Sequence, residues 1–263
     1  MKDALSVART AALKAGGILR ENIHGAREIT FKGDINLVTE MDMRSERTVV
    51  EVLRASFPDH GIVAEEETRI ENASGFTWII DPLDGTTNYA HGYPCFSVSI
   101  ALEQEGEIVI GVVYDPMRDE LFSAQKGQGA FLNGRPIRVS AVDTLIKSLL
   151  ATGFPYDRKV SEKNNLDFFH DLLMASQEVR RDGSAALDLC YVAAGRFDGF
   201  WELKLKPWDV AAGSLIVLEA GGMVSDLSHS RFSIHDDEIL ASNGRIHGQM
   251  AEALKQVMSR KAI

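Results

Sequence analysis

Cysteine is almost missing from this chain: Cys95 and Cys190 are the two in 263 residues, and neither stands at a metal-ligand spacing. That excludes a disulfide framework and a thiolate metal site, and leaves two small core residues of a reduced protein. Positive charge is the second shortage. Lys and Arg number 28 against 38 Asp and Glu, for a formal net charge of −10 and a pI near 5.2. Such a chain offers no basic face to a phosphate backbone, so nucleic acid is excluded as a partner. Long apolar runs are lacking as well. The segment Met-Lys-Asp-Ala-Leu-Ser-Val-Ala-Arg at the start carries charges within its first turns, and nothing reaches the length of a signal or membrane span, so the expectation is a cytoplasmic protein without a membrane partner. Repeats, low-complexity tracts and flexible linkers are missing too. The seven histidines show no ligand spacing, and no serine or cysteine has the context of an activated nucleophile, which disfavours a covalent mechanism.

What is present is ample core. Hydrophobic residues make up 45%, enough for a single unit over residues 1–263 built from two closely packed halves, 1–140 and 141–263. In the first half, Leu5, Ala8, Ala12, Leu13 and Leu19 recur at helical spacing from Asp3 to Asn22, with Gly16-Gly17 as a weak point at which the helix could bend. Phe31 to Asp42 is polar and turn-rich. A second helix follows Asp42, with Val49, Val50, Leu53 and Phe57 on one face and a stop at Pro58-Asp-His-Gly61. Ile62 to Ala64 is a short strand leading into Glu65. Ser97–Glu103, Glu107–Asp115 and Leu121–Gln125 form an antiparallel meander, with Asn133-Gly134 as a further hairpin turn. Beyond Ser140 strands and helices alternate: strands at Leu149–Thr152, Gln177–Arg181, Phe200–Leu203 and Ile239–Ser242, helices near Glu162–Ala175, Ala185–Ala194 and Asp209–Ala220, and a terminal helix. The periodicity supports a mixed α/β (α+β) fold.

The chain is organised around Thr77-Trp-Ile-Ile-Asp81-Pro-Leu-Asp84-Gly85-Thr86-Thr87-Asn88. Trp78, Ile79 and Ile80 read as a buried strand ended by Asp81-Pro82, and ligands in open α/β sheets gather at such strand ends. Pro82 forces a turn that brings Asp84 beside Asp81. Two carboxylates about 4 Å apart repel by roughly 4 kcal/mol at an effective dielectric near 20, so a cation belongs between them, and oxygen-only ligands suggest Mg²⁺. A helix opening at Gly85-Thr86 would aim free N–H groups at an anion. The alternative is an Asx-type turn with a capping aspartate and threonine.

Asp81-Pro-Leu-Asp-Gly-Thr-Thr-Asn88 resembles the signature of the inositol monophosphatase family, and Trp208-Asp209-Val-Ala-Ala-Gly213 resembles its second signature. Lys32 to Asp42, Glu65-Glu66 and Gly183-Ser-Ala-Ala186 resemble further family motifs, in order and spacing. The resemblance spans nearly the whole chain. It implies a layered αβαβα sandwich, a Mg²⁺-dependent phosphate monoester hydrolase with two or three Mg²⁺ per site, and a homodimer.

Carried over residue by residue, the resemblance implies that Glu65, Asp81 and the carbonyl of Leu83 hold one Mg²⁺, and that Asp81, Asp84 and Asp209 hold a second. Thr86 and Asp42 would be the hydroxyl and carboxylate beside the attacking water, with Glu65 orienting or deprotonating it. Gly85 and Thr86 would hold the phosphate, and Gly183, Ser184, Ala185, Glu202 and Asp209 would meet the substrate. Capping remains an alternative for Asp42, Thr86 and Asp209, Glu66 reads equally as surface or outer shell, and Lys32, Asp34 and Lys206 as solvated or functional. Thr87-Asn88 favours inositol-1-phosphate as the small-molecule substrate. A fructose-1,6-bisphosphatase or dual-specificity sugar phosphatase stays open, as does a regulatory protein-binding module on the same fold.

Overall fold

The computed structural model describes residues 3–25, 29–31, 37–71 and 74–261. In chain order, α1 (Ala4–Asn22) is followed by an antiparallel pair, β1 (Ile29–Phe31) and β2 (Leu37–Thr39), then α2 (Glu40–Ser56), β3 (Gly61–Ala64), β4 (Arg69–Ile70), β5 (Phe76–Asp84) and the short α3 (Thr86–Ala90). A meander comes next, made of β6 (Ser97–Gln104), β7 (Glu107–Asp115), β8 (Glu120–Gln125), β9 (Ala130–Leu132) and β10 (Arg135–Pro136). The remainder is β11 (Leu149–Thr152), α4 (Leu166–Ala175), β12 (Glu178–Arg180), α5 (Ala185–Ala193), β13 (Gly199–Leu203), α6 (Pro207–Glu219), β14 (Met223–Ser225), β15 (Glu238–Ser242) and α7 (His247–Lys261).

Strands β10-β9-β8-β7-β6-β5-β3-β4 form one sheet in that order, antiparallel throughout except for the parallel pair β3 and β5. Strands β12-β11-β13-β15-β14 form the second, in which β11 runs parallel to both neighbours. Side chains alternate across a strand, and the cores sort accordingly. Trp78 and Ile80 of β5 and Val98, Ile100 and Leu102 of β6 face outward onto α1 and α2. Ile79 and Ala101, one step along, face inward onto α5 and α6. On the second sheet Phe200, Ile239 and Ala241 meet those same two helices, whereas Trp201, Leu203 and Leu240 meet α4 and α7. The result is the αβαβα layering that the sequence resemblance implied.

Helix α5, Ala-Ala-Leu-Asp-Leu-Cys-Tyr-Val-Ala, is buried at every position because a sheet covers it on each side. The same burial explains the cysteines: Cys95 and Cys190 are buried free thiols. Gly16 is a contact point of α1, which is one uninterrupted helix. A Cβ there would stand 2.4 Å from the Tyr114 ring, so glycine is what lets α1 lie directly on β7. Helix α4 starts at Leu166, later than the periodicity suggested, because residues from Gly153 onward form a loop closed by Asn165. Asn165 donates to the Thr152 hydroxyl (2.8 Å) and the Gly153 carbonyl (2.6 Å) and accepts from the Trp201 indole (2.8 Å). The pairs β14 and β4 carry no alternation long enough to read in the sequence.

Candidate active site

Strand β5 does not end at Asp81. It runs on to Asp84, and its pairing with β6 slips between Asp81, opposite Ser99, and Asp84, opposite Ser97. Three steps on one strand meet two on the other, which is a β-bulge, and Pro82, having no N–H, is the residue the ladder can drop. The Leu83 N–H closes back on Asp81 Oδ1 at 3.0 Å. Both carboxylates thus arrive on one side through a kink in a strand. Strand β3 adds a third: Ala64 is level with Ile80, and the N–H of Glu65 donates to the Ile80 carbonyl at 3.1 Å, so Glu65 stands beside Asp81.

Gly85 follows with φ +98°, and a Cβ there would lie 3.0 Å from the Cys95 carbonyl and 3.2 Å from that of Gly183, so only glycine fits. Thr86 opens α3, and its Oγ1 lies 3.1 Å from Asp42 Oδ1 and 3.0 Å from the Leu83 carbonyl. Its single proton serves one of the two acceptors at a time. Asp42 is fully buried in the first turn of α2, inside the helix and not at its cap.

The first turn of α5 is given to Asp84. Asp84 Oδ2 accepts from Ser184 Oγ at 2.5 Å and from the Ala186 N–H at 2.8 Å, a carboxylate at a helix N-terminus. Ser184, placed with the substrate contacts by resemblance, is 1% exposed and spends its hydroxyl on that aspartate. Gly183 and Ala185 line the cavity. In α6 the Lys206 N–H donates to Asp209 Oδ2 at 2.6 Å, so Asp209 caps its helix and also faces the cavity. Glu202 comes from β13, almost fully buried.

These acids perturb one another. Burial first, then Glu65, Asp84 and Asp209, hold Asp81 well above the usual carboxylate range. Burial raises Asp84 to about 6 against the pull of the Ser184 and Ala186 donors. Asp209 rises to about 8, burial outweighing the Lys206 N–H, and Asp81 hydrogen-bonds to it as well. Glu202 rises to about 8 through burial, opposed by Arg181. Buried like charges that share a proton mark a place where a cation would be stabilising.

Among the described residues no three acids, histidines or cysteines already converge at metal-holding spacing, and Asp84 and Asp209 are engaged with protein donors. The donor chemistry nevertheless fits a hard divalent ion: Glu65, Asp81, Asp84, Asp209 and the Leu83 carbonyl offer oxygen alone.

The acids lie in an open cavity of about 970 Å³. Its rim carries residues that sequence reasoning missed: Tyr156, Asp157 and Arg158 from the loop after β11, Arg181, and Lys204. Lys204 pins that loop, its Nζ 2.6 Å from Asp157 and 2.7 Å from Ser161 Oγ. No motif announces the loop. Asp188 also lines the cavity, 1% exposed and with Oδ1 unpartnered; the signal available was one acid inside the otherwise apolar α5. Asn88 ties the site together, donating to the carbonyls of Cys95 and Asp182 at 2.7 Å each. Lys206 is exposed at the lip, and Glu67 is exposed as expected. Lys32 and Asp34 lie outside the described residues.

The sequence profile described as the inositol monophosphatase family matches residues 1–259. The chain is 47% identical to an inositol-1-monophosphatase of Synechocystis sp. over 95% of this chain and 88% of the relative. It is 43% identical to Nus factor SuhB of Escherichia coli (strain K12) over 98% of both. The solved inositol monophosphatase of Anabaena (Nostoc) sp. superposes with a TM-score of 0.88 at 47% identity, over 96% of this chain and 95% of the other.

Proposed function

The chain belongs to the inositol monophosphatase family and is a phosphatase, and from that premise we propose that it hydrolyses inositol-1-phosphate to inositol and phosphate with Mg²⁺ and no covalent intermediate. The observation that carries the reading is the mutual electrostatic coupling of Glu65, Asp81, Asp84 and Asp209 lining one cavity, two of them buried, with Thr86, hydrogen-bonded to Asp42, close behind Asp84 in sequence. Glu65, Asp81, the Leu83 carbonyl, Asp84 and Asp209 would hold Mg²⁺, two or three ions per site. When bound, Mg²⁺ supplies charge neutralisation of the phosphate and acidification of water.

The chain's own groups do the rest. Asp42 accepts the Thr86 proton at Oδ1, which leaves the hydroxyl oxygen free to accept from a water and hold it in line with phosphorus. Glu65, beside Asp81, takes the water's proton; the new P–O bond forms as the bond to the inositol oxygen breaks, and that oxygen leaves protonated by solvent water. The N–H groups of Gly85 and Thr86 hold the phosphate. Glu202, with the backbone of Gly183 and Ala185, meets the ring hydroxyls, and Ser184 contributes by steadying Asp84. With a slow uncatalysed reaction, such positioning and charge neutralisation are where most of the acceleration arises.

Phosphate release from inositol-1-phosphate, fructose-1,6-bisphosphate, adenosine 3′,5′-bisphosphate and histidinol phosphate, each in EDTA and in Mg²⁺, tests the proposal. Inositol-1-phosphate should give the highest kcat/KM, and only with Mg²⁺. Full activity in EDTA would sink the metal assignment, and preference for fructose-1,6-bisphosphate would make the chain a sugar bisphosphatase. We place it in the cytoplasm as a homodimer; among the described residues no helix is long and apolar enough to cross a membrane.

A second reading, a regulatory role on the same fold, is favoured by the relatives named Nus factor SuhB. A catalytically dead Asp81→Asn chain that still restores growth to a deletion strain would support it.

A further inference from the structure

The first turns of α2 carry three buried polar residues, Asp42, Ser45 and Glu46, at the i, i+3 and i+4 spacing that puts them on one face. Each reaches a different segment of the site. Asp42 accepts from Thr86, and Ser45 Oγ donates to the Pro82 carbonyl at 2.6 Å, inside the bulge between Asp81 and Asp84. Glu46 takes the turn that follows Glu65. Its Oε2 accepts from the Glu66 N–H at 3.0 Å, and its Oε1 from the Glu67 N–H at 3.2 Å, the Thr68 N–H at 2.9 Å and Thr68 Oγ1 at 2.7 Å.

We propose that Glu46 is a positioning residue for the phosphatase reaction, setting through the 66–68 turn where the Glu65 carboxylate stands relative to Asp81 and so the affinity for the divalent ion. Three successive N–H groups turned toward one carboxylate make an anion-binding concavity, here filled by the protein's own side chain at 2% exposure. Glu65 is thereby bracketed. Its own N–H is held by the Ile80 carbonyl of β5 on one side, and the next three residues are held by Glu46 on the other. The turn itself is closed by the Ala64 N–H on the Thr68 carbonyl at 2.9 Å and by the pairing of β3 with β4, and Glu46 fixes how it lies against α2. Glu46 touches neither substrate nor reacting atoms; it acts through Glu65, as Ser45 acts through the bulge.

The inference rests on Glu65 being a ligand of the divalent ion. Its test is calorimetric titration of the full chain with MgCl₂, alongside thermal unfolding of the metal-free protein. Glu46→Gln puts an amide N–H₂ in place of one acceptor, opposite the N–H groups it served. The expected result is Mg²⁺ binding weakened ten- to a hundredfold, the range for groups that orient metal ligands from behind. Glu219→Gln is the control, since Glu219 holds the Gly127 and Gly129 N–H groups at 2.7 and 2.8 Å in the hairpin between β8 and β9 in the same chemical way. It should lower the melting temperature and leave Mg²⁺ affinity alone. Wild-type Mg²⁺ affinity in Glu46→Gln with only a lowered melting temperature overturns the inference, and so does equal weakening in Glu219→Gln. A wild type that takes up no Mg²⁺ removes the metal reading itself. If Glu46→Gln does not fold, Thr68→Val removes the hydroxyl from which Glu46 Oε1 accepts and reads the same contact: severalfold weaker binding supports the proposal, and unchanged binding overturns it.

Discussion

Asp84→Asn should destroy activity and stabilise the metal-free fold at once, and the second effect can be worked from the structure. Burial raises the Asp84 carboxyl from 3.8 to about 6. A folded-state pKa above the unfolded one means that the native chain binds the extra proton between those values, so the charged group weighs against folding as pH rises through that window. The full penalty is present above pH 6. A shift of roughly two units corresponds to about 3 kcal/mol. Asparagine removes the charge and can still accept from Ser184 Oγ and the Ala186 N–H through its one oxygen, although hydrogen bonds to a neutral acceptor are weaker than to a carboxylate by about 1 kcal/mol. The net expectation is a gain of about 1–2 kcal/mol. For a chain of this size that is a melting temperature higher by about 2–8 °C, measured in EDTA at pH 7.5 by circular dichroism, with kcat in Mg²⁺ down by orders of magnitude. A variant that melts lower than wild type in EDTA would refute the reasoning: the carboxylate would then be a structural cap of α5, and the buried acids would not be a cation site.

Thr86→Ala removes the hydroxyl that bridges Asp42 and the Leu83 carbonyl, and kcat should fall roughly a hundredfold or more with little change in KM, the pattern of a group acting in the transition state; steady-state kinetics showing the reverse would move Thr86 to phosphate binding. Glu202→Gln, assayed at about pH 9 where the Glu202 carboxylate, raised to about 8, is charged, should lower kcat/KM for inositol-1-phosphate by roughly ten- to a hundredfold, the worth of a hydrogen bond to a charged acceptor, and leave a small unhydroxylated ester nearly untouched; equal loss on both would place Glu202 with the fold or the metal. His247 is buried between the Ser225 and Ser242 hydroxyls at 2.8 and 2.9 Å, and burial, then His229, lowers it from 6.5 to about 4. Because the unfolded chain takes the proton first, stability is intact above pH 6.5 and is lost as pH falls toward 4. Urea unfolding should show about 2 kcal/mol lost between pH 7 and pH 5 through this residue, and a loss of the same size in His247→Asn would contradict it.

Where the chemistry is local, residue order was enough. Pro82 declares a turn that brings Asp84 beside Asp81, Asn133-Gly134 closes its hairpin with φ of +49° and +75°, and Pro207 with Asp209 opens α6. Even so, the strand end inferred at Asp81 proved to be a bulge, because only the neighbour β6 shows that pairing resumes at Asp84. The remaining features depend on residues far apart in sequence. The Ser184 hydroxyl serves Asp84, 100 residues away, a bond that nothing around Ser184 in the sequence announces. Glu46 looks like one more exposed helix charge until the turn after Glu65 folds onto it. The loop that carries Tyr156 and Arg158 is pinned by an ion pair from Asp157 to Lys204, 47 residues away. Sequence determines what turns, caps and buried stripes dictate over a few residues; which acids share one low-dielectric space, and which donors hold them there, is decided by the packing of the two sheets around α5 and α6.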